Sequence, residues 1–171
     1  MTEEEHVLFI DSRFSDTSSN VDFSVIFNRS LNTHSSGYPT QVFKNVKKVE
    51  LSAFSINKNV LELYPQETYV VLDIEELNNR VHSNVPEVNQ SFAIIYIDKE
   101  LQNTNNEWVN KPLEVSLKGP DFDVKIKKFN PPLSSLSRLT IKIKNPYTRE
   151  TVPDLGKTTF IFKITTVQSS A

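Results

Sequence analysis

The chain has 171 residues, with 19 lysines and arginines, 21 aspartates and glutamates, and no cysteine. This length fits one domain, and a formal net charge of -2 argues against a dedicated polyanion binder, which would be basic. The lack of cysteine excludes a disulfide scaffold, a thiol nucleophile and any zinc or iron–sulfur site that uses cysteine.

The N-terminal segment has none of the features of a targeting signal. Residues 1–5 are acidic and lead into only a short apolar patch, Val7 to Ile10, which is not the pattern of a secretory signal. No run approaches the roughly 18 apolar residues of a membrane span. We therefore expect a soluble, intracellular product in which residues 1–20 form an N-terminal arm with a possible short strand.

Apolar and polar side chains alternate through most of the chain, which is the pattern of β-strands with one buried face. Within residues 46–56 the apolar parity runs through Val49, Leu51 and Ala53. It then switches to Phe54 and Ile56, and such a one-residue slip predicts a β-bulge. Residues 92–97 are apolar on both faces, so this strand must be covered by its own domain or by a partner. The predicted strands are about 21–28, 46–56, 69–74, 91–98, 113–117, 121–129, 138–144 and 158–167, with a further piece at 7–10.

These segments predict an all-β fold, an eight-stranded antiparallel β-sandwich. Most of the predicted loops are long, which favours strands that cross between two sheets, as in a single jelly roll, over an up-and-down barrel. The only helical prediction is a short helix near residues 75–81. The jelly-roll domain is expected to span residues 21–167, followed by a tail at 168–171.

Candidates for catalysis are few, and we predict no enzyme activity, no cofactor and no metal. The three histidines, His6, His34 and His82, are scattered in polar stretches, and none has a second histidine at ligand spacing. Asp121 and Asp123 at a strand start could hold calcium, although solvated carboxylates are the simpler interpretation. Three glycines cannot supply a phosphate-binding loop, and no Gly-x-Ser-x-Gly elbow occurs.

Lysines on two predicted strands raise the alternative of a basic strip that tracks phosphates. The strip would consist of Lys125, Lys127, Lys128, Lys142 and Lys144. Lysines on exposed strand faces also keep sheets soluble and stop their edges from pairing. The net charge of -2 favours this second interpretation.

Aromatic residues in two polar loops suggest a binding surface. Trp108 and Tyr147 could form a sugar platform, so a carbohydrate- or receptor-binding β-sandwich module remains an alternative function. A loop aromatic can equally dock on its own domain or against a neighbouring subunit.

A series of sequence blocks covers residues 9 to 166, nearly the whole chain. In order, the blocks are FIDSR (9–13), VDFSV (21–25), FKNVKKVEL (43–51), YVVLDIEEL (69–77), SFAIIY (91–96), FNPPL (129–133), LSRLTIKI (136–143) and FIFKIT (160–165). Their order and spacing resemble the single jelly-roll vertex (penton) and minor capsid proteins of nucleocytoplasmic large DNA viruses and their virophages.

The resemblance implies a structural protein of an icosahedral capsid, a penton subunit that forms a homopentamer at five-fold vertices. Its implied partners are a double jelly-roll major capsid protein and minor capsid proteins, with no specific nucleic acid, and its implied location is the virion, assembled in the host cytoplasm. On the virion surface, the carbohydrate- or receptor-binding module is the alternative. A ring requires one side of a subunit to meet a different side of its neighbour. The expected subunit-interface residues are Phe9, Ile10, Arg13, Ile95, Ile97, Trp108 and Tyr147.

Overall fold

Nine antiparallel strands and two short 3-10 turns make up the part of the chain that the computed structural model describes. The described residues are 2–15, 17–27, 42–57, 69–96, 114–117, 124–146, 150–152 and 156–168. No helix within these ranges is long and apolar enough to span a membrane. The strands are β1 Thr2–Asp11, β2 Asp22–Ile26, β3 Phe43–Asn57, β4 Tyr69–Ile74, β5 Ala93–Tyr96, β6 Glu114–Leu117, β7 Lys125–Leu136, β8 Arg138–Lys144 and β9 Thr159–Gln168.

The strands form two antiparallel sheets. The first sheet has the order β1-β9-β3-β6, and β7 also pairs with β3. The second sheet has the order β2-β8-β4-β5. β6 pairs with the C-terminal part of β3 and β7 with its N-terminal part, so together they flank β3 along most of its length. The predicted all-β, antiparallel sandwich is confirmed.

Alternation along the strands sends apolar side chains from both sheets into one core. Phe160 on β9 is fully buried in this core, with its ring centroid 6.1 Å from that of Phe23 on β2 and 5.3 Å from that of Phe54 on β3. Phe162 stacks beside Phe160 at 6.0 Å. All four rings are buried, so aromatic contacts join the two sheets.

The predicted bulge in β3 is confirmed. Leu51 pairs with Phe162 on β9, whereas Ala53 pairs with Ile161, so β3 has one extra residue at this point. Leu51 and Phe54 are both buried on the inner face although their numbers differ in parity. The bulge lets a strand with a parity slip keep its apolar side chains in the core.

The apolar segment around β5 is covered by its own chain. Phe92, Ala93 and Ile95 are buried in the core, and Ile94 is half-buried. Only Tyr96 at the end of the strand is exposed. Of the two alternatives that the sequence left open, burial within the domain accounts for residues 92–96, the described part of this segment.

The N-terminus differs from the predicted arm, because it is a full strand of the first sheet. β1 pairs with β9 through ten residues, from Thr2 opposite Gln168 to Asp11 opposite Thr159. Leu8 and Ile10 point into the core and are buried. The polar residues 2–5 show no strand pattern in the sequence, because their pairing depends on a partner strand that is distant in the chain and not on local alternation.

The predicted helix at 75–81 is wrong beyond its first turn, since only Glu75–Leu77 is helical, as a 3-10 turn. The side-chain Oδ1 of Asn78 accepts a hydrogen bond from the backbone N–H of Ile74 at 3.0 Å. Asn79 then has a φ of 63°, in the left-handed region. The backbone N–H groups of Asn79 and Val81 donate to the carbonyls of Gln90 and Ser91 instead of to the preceding turn, so the helix ends after one turn.

Candidate assembly interface

The outer face of the first sheet carries an apolar surface at one end of β1. The side chains of Val7 and Phe9 alternate with the buried Leu8 and Ile10, and they are 68% and 60% exposed. Phe9 lies opposite the half-buried Ile161 of β9. We call Val7, Phe9 and Ile161 the β1 patch. A group of neighbouring exposed apolar side chains is more informative than single ones, because such groups mark interaction surfaces.

The β1 patch lies on an edge strand. Among the described residues β1 pairs with β9 alone, so the backbone groups of its other edge face outward. Phe14, in the 3-10 turn that follows β1, is exposed as well. An edge strand with exposed apolar side chains can associate with another chain through both its backbone and its side chains.

A second exposed aromatic surface lies at the edge of the other sheet. Tyr96 on β5 is 67% exposed, and its ring centroid lies 5.8 Å from that of Tyr69 on the adjacent β4. Tyrosine provides a large contact area together with a polar hydroxyl group, a combination that is common in interfaces. We call this pair the tyrosine pair.

Contacts between the sheets place the tyrosine pair and the β1 patch on opposite sides of the sandwich. At the end of β1, Ser12 Oγ donates a hydrogen bond to Asn20 Oδ1, two residues before β2 begins. The β4–β5 connection instead lies beside β7, because Arg80 Nε donates to the carbonyl of Ile126 at 2.7 Å. β1 and β5 therefore lie at opposite edges of the sandwich. Two surfaces that meet in a head-to-tail contact between subunits must be separate in this way.

The predicted interface residues have different positions in the structure. Phe9 is exposed, whereas Ile10 and Ile95 are buried in the core of this subunit, which leaves their side chains almost no surface for a neighbour. Arg13 is exposed but paired, since its Nε and Nη2 lie 3.0 and 2.6 Å from the carboxylate oxygens of Asp11. Ile97, Trp108 and Tyr147 lie outside the described residues.

The Asp11–Arg13 pair fixes the turn that follows β1. Asp11 also accepts a hydrogen bond from the backbone N–H of Arg13, at 3.1 Å, and so caps the 3-10 turn. The hydrogen bonds from Arg13 hold the pKa of Asp11 below its ordinary value, although partial burial acts in the opposite direction.

Among the described residues, the candidates for metal binding or catalysis do not form a cluster. His6 is half-buried, with Nε2 lying 3.2 Å from Thr166 Oγ1, and His82 is exposed. Within the described ranges no three histidine, aspartate or glutamate side chains come together as a metal site would require. His34, Asp121 and Asp123 lie outside those ranges.

The lysines of the proposed basic strip divide between the two sheets. Lys142 lies 3.6 Å from Asp22, and Lys144 forms an ion pair with Asp73, both on the second sheet. On β7 of the first sheet, Lys127 donates a hydrogen bond to the backbone carbonyl of Asn78 at 2.7 Å. These lysines therefore neutralise or cap neighbouring groups, and a continuous strip along β7 and β8 does not form.

Tyr96 and Phe14 are exposed aromatic residues that the sequence did not indicate. The signal for Tyr96 was weak because it ends a strand that is otherwise apolar on both faces, and nothing local distinguishes it from its buried neighbours. Phe14 lay within the expected arm and had no predicted element to give it a face.

The described residues define a β-sandwich in which most of the exposed large apolar side chains lie on edge strands, an arrangement suited to association between protein chains. A scan against the models of known protein families finds no match for the chain, and a search of curated proteins finds none either.

Proposed function

We propose that this protein is a structural subunit of an icosahedral virus capsid, a single jelly roll that forms homopentamers at the five-fold vertices. The observation that carries the proposal is the exposed β1 patch on an edge strand of an antiparallel sandwich. The resemblance of the sequence blocks to penton proteins supports the capsid role. In the virion, the partners would be a double jelly-roll major capsid protein and minor capsid proteins.

The strand order supports the jelly-roll part of the proposal. β1, β3 and β9 lie in the first sheet, whereas β2, β4 and β8 lie in the second, so the chain crosses repeatedly from one sheet to the other. Two interlocked Greek keys require crossings of this kind, and an up-and-down arrangement has none.

The two exposed aromatic surfaces support the ring. A closed ring of identical subunits uses a heterologous interface, in which two different surfaces of the same chain meet. The β1 patch and the tyrosine pair are different surfaces on opposite side walls. In a pentamer, the β1 patch of one subunit would contact the tyrosine pair of the next, with aromatic side chains at the centre of the interface.

Oligomeric mass tests the proposal directly. Light scattering coupled to size exclusion, over a range of concentrations, should give a mass five times that of the single chain. Phe9→Ser and Tyr96→Ser should each shift the protein to monomer while the far-UV circular dichroism stays unchanged, because both side chains are exposed in the single chain. Lys44→Ser, a matched change at another exposed strand position, should remain pentameric.

Two results would contradict the proposal. A wild-type chain that is monomeric in solution and also in assembled particles would exclude the vertex role. A pentamer that survives both Phe9→Ser and Tyr96→Ser would show that the ring uses other surfaces.

A further inference from the structure

A cleft of about 780 Å³ opens on the outer face of the first sheet. It lies near Glu3, at the opposite end of β1 from the β1 patch. Six residues of extended strand separate Glu3 from Phe9, or roughly 20 Å. The volume lies in the range of ligand-binding pockets, and the proposed pentamer contact uses none of the residues that line the cleft.

Two irregularities in neighbouring strands form the cleft. β3 advances two residues from Val46 to Lys48, while its partner β7 passes five residues, from Leu133 to Lys128. β7 thus continues past its predicted end at residue 129, and its extra residues include prolines, which cannot donate to the sheet ladder. The same place on β3 is also a bulge against β9, which gives Lys47 an exposed position.

Three lysine side chains, Lys47, Lys48 and Lys128, line this cleft. Lys48 and Lys128 are paired directly across β3 and β7, and like charges in that position destabilise a sheet. Lys48 Nζ lies 3.2 Å from Glu50, whereas Lys128 has no ionic partner among the residues described. The arrangement favours a negatively charged occupant, because such an occupant would offset the repulsion.

The same cleft has apolar walls made by Ile126, Phe129 and Val167. Ile126 faces outward because it pairs with Glu50, while Lys125 and Lys127 take the inner side. Simple alternation of apolar and polar residues would instead place Ile126 in the core and the two lysines on the outer face. The reversal is possible because the long stem of Lys127 carries its ammonium group to the carbonyl of Asn78.

One carboxylate of the chain already binds at this site. The side chain of Glu3, on the extended strand β1, forms an ion pair with Lys47 at the rim of the cleft. The hydrogen bond and charge of Lys47 lower the pKa of Glu3. An acidic residue on an extended backbone is therefore compatible with the geometry of this surface.

We propose that the cleft is a docking site for an extended acidic segment of a partner polypeptide. Its carboxylates would pair with Lys48 and Lys128, and its apolar side chains would pack on Ile126 and Phe129. A nucleic acid fits less well, because phosphate tracking needs several cationic contacts along a backbone. Here the lysines form one cluster, bounded by an acidic residue and set over apolar walls.

Fluorescence anisotropy with short labelled peptides tests the inference. The probe is a five-residue peptide that alternates glutamate and leucine, and it should bind the wild-type protein with a dissociation constant below about 1 mM. Peptides with lysine for glutamate, or serine for leucine, should bind at least tenfold more weakly. Lys128→Glu should weaken binding of the acidic peptide by at least tenfold, whereas Lys44→Glu, the same charge change on β3 outside the cleft, should change it less than twofold.

The outcomes separate this inference from the pentamer. Loss of binding in Lys128→Glu alone supports the cleft, whatever the oligomeric mass of the protein. Equal losses in Lys128→Glu and Lys44→Glu would mean that net charge alone attracts the peptide, which overturns the proposal. No binding of the acidic peptide at 1 mM, or tighter binding of a ten-nucleotide oligothymidylate than of the peptide, would overturn it as well.

Discussion

The inner face of β1 should contribute strongly to the free energy of unfolding. Leu8 is only 5% exposed, so Leu8→Ala removes buried methyl groups and leaves a cavity. Such changes cost about 2–5 kcal/mol. Because β1 is an edge strand that can relax toward its neighbours, we expect a loss near the lower limit, about 2–3 kcal/mol. Val7→Ala, one residue away on the opposite face, should cost less than about 0.5 kcal/mol.

Urea denaturation measures the difference between these two variants. With a slope of about 2 kcal/mol per molar, Leu8→Ala should lower the midpoint by about 1 M or more, and Val7→Ala should leave it nearly unchanged. The protein must be monomeric in these measurements, because assembly through the β1 patch would add a concentration-dependent contribution.

The comparison has a clear refuting result. If residues 2–11 formed a loose arm, both variants would unfold at the wild-type midpoint. A difference between Leu8→Ala and Val7→Ala of less than about 0.5 kcal/mol would therefore refute the placement of β1 in the core sheet.

Two further predictions concern the polar contacts of Asp11 and Glu76. The pKa of Asp11 is lowered in the folded chain from its ordinary value of 3.8. The pairing of Asp11 with Arg13 therefore stabilises the fold at pH values above 3.8, and this stabilisation is lost as the pH falls through the lowered pKa. Asp11→Asn should abolish this part of the acid dependence in unfolding curves recorded at successive pH values. Glu76 accepts hydrogen bonds from the N–H of Thr140 at 2.7 Å and from Arg138 at 3.0 Å, so Glu76→Ala should cost about 1–3 kcal/mol in denaturant unfolding. Arg138→Ala removes only an exposed ion-pair partner and should cost less than about 1 kcal/mol; equal losses for the two variants would contradict this assignment.

The bulge in β3 could be predicted from the sequence because it is a local property. Side chains on a strand alternate between two faces, so the parity slip between Leu51 and Phe54 had one simple geometric cause. The register of β3 against β9 confirms it. The sequence can predict a feature that depends only on which face of its own strand a residue occupies. Such a prediction does not require knowing which strand is the neighbour.

β1 and β7 were harder to predict because distant strands determine their conformation. Residues 2–5 show no apolar alternation, yet they pair with the C-terminal end of β9. In β7, Lys127 takes an inner position that a short polar side chain could not, because its stem reaches the rim of the sandwich. A prediction from hydrophobic alternation assumes that polar residues face outward. A lysine at the edge of a sheet can be an exception.

The candidate surfaces also differ in whether the sequence alone could predict them. Phe9 could be proposed from the sequence because it belongs to a short apolar run. The lysine pair of the cleft could not, because Lys48 and Lys128 become neighbours only through the register of β3 and β7. The order of the strands in each sheet was likewise beyond the sequence, which gave their positions along the chain but no pairing partners.

The two halves of β1 differ in how they protect the edge of the first sheet. Glu3 and Glu5 place charges on the N-terminal half, and charged side chains discourage pairing with another edge strand. Val7 and Phe9 leave the other half apolar and exposed. An exposed apolar edge is a liability for a chain that remains alone, because it favours aggregation. In a ring, the same residues would be covered by the neighbouring subunit, while the acidic half would keep that contact from extending along the strand toward the cleft.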